Sequence, residues 1–160
     1  MTINYLRRYL PELTLGSIDG LVTTFAVISG SEGGHLGVVT IIILSLANVF
    51  ADGFSMSVSV YFSIKNDKRD NGKLCMSSAS ATFLGFITTG MLPVMPYLLF
   101  GSGVFIYSMI ISAILFLLIG AMKGILDHHG FIRQSLFTLL FGGISCCIAY
   151  FLGFLIDKII

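Results

Sequence analysis

Charge is scarce in this chain. Only 11% of its 160 residues are Asp, Glu, Lys or Arg, against 56% apolar. Soluble domains carry about a quarter of their residues as charges, so an ordinary water-soluble fold is excluded. The mean hydropathy of +0.96 points instead to an integral membrane protein. Hydrophilic sequence is equally limited: KNDKRDNGK, residues 65–73, is the one strongly hydrophilic stretch and reads as solvated linker, leaving little for a separate soluble domain. Cysteine is confined to Cys75, Cys146 and Cys147, with neither a CxxC spacing nor an even framework, so these residues are expected to be small apolar fillers. No cleaved secretory leader is expected either. Arg7 and Arg8 precede a hydrophobic segment, but it contains Asp19 and runs into SEGGH without a cleavage site, so the first span is expected to be retained. The net charge of +1 says nothing about acidic partners.

What the chain does have is apolar length. A spanning helix needs about 20 residues, and five runs reach that size: roughly 13–31, 37–64, 76–100, 103–126 and 135–157. The expected fold is an all-α integral membrane protein of five transmembrane helices, occupying 1–160 as one transmembrane domain with a short cytoplasmic linker at 65–75. Basic residues set its orientation. Arg7, Arg8, Lys65, Lys68, Arg69, Lys73, Lys123 and Arg133 fall on one side, and only Lys158 on the other. That bias predicts a cytoplasmic N-terminus and an external C-terminus.

The segment before the first span places Ile3, Leu6, Leu10 and Leu13 at helical steps, with Arg7, Arg8 and Glu12 elsewhere on the wheel. It predicts a short amphipathic helix at the interface, bent or ended near Pro11. Within the first span, Gly16 and Gly20 form a GxxxG that permits close helix approach, and Asp19 lies between them, followed by Thr23 and Thr24. In the third span, Pro93 and Pro96 within MLPVMPY predict a kink or unwinding. In the fifth, Gly142, Gly143 and Gly153 predict tight packing. Asp127, His128 and His129 are potential metal ligands, but without further ligands they read as solvated loop.

The densest chemistry lies in SLANVFADGFSMSVSVYFS, residues 45–63. Ser45, Asn48, Asp52, Ser55, Met56, Ser59 and Ser63 recur at steps of three and four, forming one stripe of a helix. Leu46, Val49, Phe50, Phe54, Val58 and Phe62 are then expected to face lipid. A carboxylate at the centre of a spanning helix costs roughly 2.5–3.5 kcal/mol on insertion scales, so it normally faces a polar interior or a pathway. Asp52 and Asp19 are therefore candidates for one polar centre, with Thr23, Asn48, Ser55 and Ser59 lining the approach. The Met56 thioether, a soft ligand, favours a transition metal over magnesium or calcium. Metal transport competes here with two other readings: an intramembrane enzyme using the two aspartates as acid and base, and a membrane subunit that does not transport.

SIDGLVTTFAVISG (17–30) and LANVFADGFSMSVSVYFSIKN (46–66) resemble the first two spans of the vacuolar iron transporter family. MLPVMPYLLF (91–100), GAMKG (120–124) and SLFTLLFGGISCCIAYFLG (135–153) resemble its later spans in order. The resemblance implies a five-helix protomer, a homodimer with the pathway between protomers, and proton-coupled export of Fe2+ or Mn2+ as transported substrate, with no permanently bound cofactor. It also implies that Asp19 and Met56 line the pathway, and a vacuolar or, in a bacterium, inner-membrane location. The expected partners are the lipid bilayer, divalent metal ions and protons, with no nucleic acid. This chain departs from many members by lacking the long glutamate-rich cytoplasmic insertion after the second span.

Overall fold

The computed structural model describes the backbone of residues 2–66, 72–126 and 130–159 and the side chains of residues 9–66, 74–125 and 130–159. The chain forms five helices: α1 (Thr2–Gly33), α2 (Val38–Asn66), α3 (Gly72–Phe100), α4 (Phe105–Leu126) and α5 (Phe131–Ile159). All five contain a stretch long and apolar enough to cross a bilayer, as the hydropathy predicts. Asp127, His128 and His129 lie outside the described residues.

At the prolines neither helix ends or unwinds. α1 runs as one helix through Pro11, and α3 continues through Pro93 and Pro96. Close to the α3 prolines, Ser108 Oγ of α4 donates to the Pro93 carbonyl at 2.7 Å, which ties α4 to that turn of α3. The α3–α4 hairpin turns on Gly101 and Gly103, whose φ angles of 78° and 74° suit residues without a Cβ.

Helix α1 is the axis of the bundle, packing against all four others. Its closest partner is α3. A Cβ at Gly16 or Gly20 would run into the backbone of Thr82 or Phe86, and one at Gly85 into the Leu13 carbonyl, so the two backbones touch directly. The GxxxG expectation holds here. Leu21, Phe25 and Ile28 of α1 meet Val94 and Tyr97 of α3, Phe116 of α4 and Cys146 of α5 in the buried core. In α5, Gly142 accommodates the Phe116 ring and Gly153 sits on the Gly30 backbone, whereas Gly143 has open space beside it; it is not a packing glycine. Cys75 and Cys146 are buried as filler, and Cys147 is exposed.

Helix α2 faces the bundle differently from the periodicity argument. Its buried residues are Ile41, Ser45, Val49 and Gly53, one ridge at steps of four. Val49, expected to face lipid, is fully buried, its methyl close to Gly90 of α3, and the Phe86 ring closes over Gly53. The reason is steric. Small side chains let α2 come close to α3, while the bulky Phe50, Phe54 and Phe62 remain outside, where they are exposed as expected. Ser45 remains on the inward face, but Asp52, Ser55, Ser59 and Ser63 are exposed on the single chain.

Candidate functional site

A cavity of about 580 Å³ opens between α1, α2 and α4. Its wall includes Glu12, Thr14, Leu15, Ile18 and Asp19 of α1, Met56 of α2 and Lys123 of α4. Among the described residues α2 and α4 do not touch. The space is therefore the wedge left open between them, with α1 as its floor. Asp19 is half-buried on that floor. The helix seam fixes its height, because Gly16 and Gly20 on either side are pressed into α3 and leave little freedom to slide.

Asp19 and Met56, which the family resemblance implies line one pathway, line the same cavity. A short polar chain leads away from it. Thr23 Oγ1 donates to the Asp19 carbonyl at 2.8 Å, and Asn48 Nδ2 lies 3.4 Å from Thr23 Oγ1 as a donor. These contacts join the first span to the second at the level of the expected pathway residues. Asp52 is close enough to Asp19 for their charges to repel when both are ionised, but its side chain is exposed and is not part of the cavity wall. Ser55 and Ser59 share that outward face, with Ser59 Oγ donating to the Ser55 carbonyl at 3.0 Å. The single chain thus gathers Asp19, Met56, Thr23 and Asn48 and leaves Asp52, Ser55 and Ser59 on its surface.

Two cavity residues escaped the reading of the sequence. Glu12 had been placed on the polar face of an interfacial helix, but it lines the cavity beside Asp19. Its Oε1 lies 3.3 Å from the Ser78 hydroxyl, a donor, and its Oε2 is buried without a partner. The spacing from Glu12 to Asp19, seven residues or two helical turns, was the available signal. Lys123 had served only as a topology marker. Gly120 and Gly124 flank it and press α4 onto Ser135 and Phe131 of α5, holding that turn in place while Lys123 lines the cavity.

Two carboxylates and a thioether are potential ligands for a cation, whereas the Lys123 ammonium has no lone pair to offer one. Among the described residues, no three His, Cys, Asp or Glu side chains converge as a ready-made metal centre. Five spans and carboxylates inside the bundle define the class: an integral membrane protein with a candidate polar site within its helices.

Comparison with known proteins makes the class specific. The model of the VIT family matches residues 10–73 and 66–154, and the chain belongs to that family. It is similar to the vacuolar iron transporter of Plasmodium berghei (strain Anka), 38% identical over 55 residues, 34% of this chain and 20% of that protein. The vacuolar iron transporters of Plasmodium falciparum (isolate 3D7) and Toxoplasma gondii (strain ATCC 50861 / VEG) are 39% identical over 54 residues and 33% over 60. The matched region spans only about a fifth, 20%, of each of these relatives, and 34% and 38% of this chain for the last two.

Proposed function

We propose that this protein moves divalent iron, manganese or both out of the cytoplasm, in exchange for protons, through a pathway at a homodimer interface. The observation that carries the reading is the convergence of Asp19, Glu12 and Met56 on one cavity open between α2 and α4. Names of relatives add iron to the reading, and the thioether adds selectivity for transition metals over magnesium and calcium.

The exposed stripe supports the dimer. Asp52, Ser55 and Ser59 lie on the outer surface of α2, where lipid contact would be costly for a carboxylate. A second copy related by a two-fold axis meets the same stripe with the same stripe, and each Asp52 then lies on a shared path near Asp19. The basic residues, eight on one side against Lys158 on the other, support a cytoplasmic opening at the Glu12 end.

Export of a dication against a negative-inside potential costs about 2.3 kcal/mol per charge per 100 mV, or about 4.6 kcal/mol for the ion. Inward movement of two protons cancels that electrical term. A carboxylate shielded from water holds a proton or a metal ion, not both comfortably. Asp19 and Asp52 supply that competition. The exchange is tested in proteoliposomes containing the purified protein, loaded with a pH dye and given Fe2+ or Mn2+. Metal uptake with counterflow of protons is the expected result. Metal flux equal to that of empty vesicles overturns transport and favours a subunit that has kept the fold alone; flux without a pH change overturns proton exchange.

A further inference from the structure

Helices α4 and α5 begin as a close pair and then part. At the end where the chain passes from one to the other, a Cβ at Gly124 or Gly120 would run into Phe131 or Ser135, and Ser135 Oγ donates to the Leu117 carbonyl at 3.0 Å. Next along the pair, the Phe116 ring fills the space over Gly142. Beyond it α5 packs on α1, where Gly153 sits on the Gly30 backbone and Gly33 on that of Tyr150. The two helices are bridged again at Phe105, whose ring stacks with Tyr150 of α5 at 6.3 Å and with Phe25 of α1 at 6.2 Å. Between these two closures lies a gap of about 640 Å³, with Met109 and Ala113 on the α4 side, Gly143 and Cys147 on the α5 side, and Phe25 and Ser29 of α1 as its floor.

Chemistry and shape restrict what can fill this gap. No charged side chain lines it, and its side-chain heteroatoms are the Ser29 and Tyr150 hydroxyls, two thiols and a thioether in a wall that is otherwise hydrocarbon, so water and lipid headgroups have little to bond. It lies within the stretches of α4 and α5 that are long and apolar enough to span a bilayer. From Phe105 to Phe116 is about 16 Å of helix. A helix from a second copy or another membrane protein runs across about 30 Å of hydrocarbon and would meet both closures. What fits is a flexible hydrocarbon chain that enters sideways. We propose that the gap seats one acyl chain of a bilayer phospholipid, which passes between α4 and α5 and reaches α1. The chain restores the packing that the parting of the helices removes, since wall atoms facing an empty gap lose dispersion contacts on that side. Gly143 keeps the way in open: a Cβ there would meet nothing within 4 Å. Occupancy of this gap does not depend on what the protein transports.

The test is photolabelling of the full-length protein in lipid nanodiscs made with a phosphatidylcholine that carries a diazirine midway along one acyl chain. Lipid around the bundle labels outward residues such as Phe141, which is 64% exposed, whether or not the gap is occupied. Phe25 is 6% exposed and Ser29 2%, and a chain inside the gap is what brings the diazirine to them. They are expected to be labelled well above Thr82 of α3, which is fully buried and away from the gap. Gly143→Phe fills the gap and is expected to bring Phe25 and Ser29 down to the Thr82 level while Phe141 stays labelled. Ala113→Leu serves as the second filled variant if Gly143→Phe does not fold. Labelling of Phe25 and Ser29 no higher than that of Thr82 in the wild type overturns the proposal, as does labelling that persists in a filled variant of unchanged thermal stability. A different hydrophobic molecule held by the purified protein, released and weighed by mass spectrometry, in protein whose Phe25 and Ser29 stay unlabelled, assigns the gap to that molecule and overturns the phospholipid seat.

Discussion

The two ends of α1 treat their carboxylates in opposite ways. At one end Glu12 and Asp19 face an open cavity, and one Glu12 oxygen is buried with no partner. At the other, Glu32 accepts a 2.6 Å hydrogen bond from the buried Tyr97 hydroxyl, and Asp157 lies 3.0 Å from Nδ1 of His35 in the following turn. A buried polar group left unpaired costs about 1–3 kcal/mol. Where the fold could have supplied partners it did so, at the Glu32 end. At the cavity end, Asp19 is the half-buried carboxylate on the open wall. Charge satisfied within the chain builds the protein, and charge left unsatisfied is available to an ion.

The sharpest way to break this contrast is Asp19→Asn, which keeps the shape and removes the charge. Metal flux in vesicles is expected to fall at least about tenfold, equivalent to about 1.4 kcal/mol of barrier, in protein that stays folded; unchanged flux would erase the distinction between the ends. Met56→Leu comes next. It is close to isosteric and should cost less than about 1.5 kcal/mol of stability, yet flux should drop, most for the metals that bind thioethers best. Equal flux of Fe2+, Co2+ and Mn2+ in wild type and variant would reduce Met56 to packing. At the paired end the expectation inverts: Tyr97→Phe deprives Glu32 of its donor and should lower stability by about 1–2 kcal/mol with initial flux intact, as thermal melting beside flux assays would show. Smallest is Asp157→Asn. The His35 and Asp157 side chains are 67% and 42% exposed, so the melting change should stay below about 0.5 kcal/mol.

Much of this was legible in the sequence because hydropathy and helical period are local properties. Five spans and the seam at Gly16 and Gly20 follow from residue type and spacing, whereas Asp19 and Met56 were brought together by the family resemblance, and residue type had paired Asp19 with Asp52 instead. The facing of α2 was not legible. A polar stripe and a stripe of small residues run along the same helix, and periodicity cannot say which one meets α3; Ser45, Val49 and Gly53 won because they allow the closer approach to Phe86 and Gly90. Glu12 and Lys123 were missed for another reason. Each has an ordinary explanation at a membrane interface, and only the three-dimensional wedge between α2 and α4 brings them to one cavity.

The seam between α1 and α3 also bears on how the protein is made. Gly16 and Gly20 reach their proper neighbours, Thr82 and Phe86, only after α2 has been synthesised between them. During that interval the glycine face of α1 lacks its α3 partner. Arrival of α3 is what covers that face. A substitution that fills the seam would therefore be felt first as failed insertion and rapid degradation, before any question of ion movement arises.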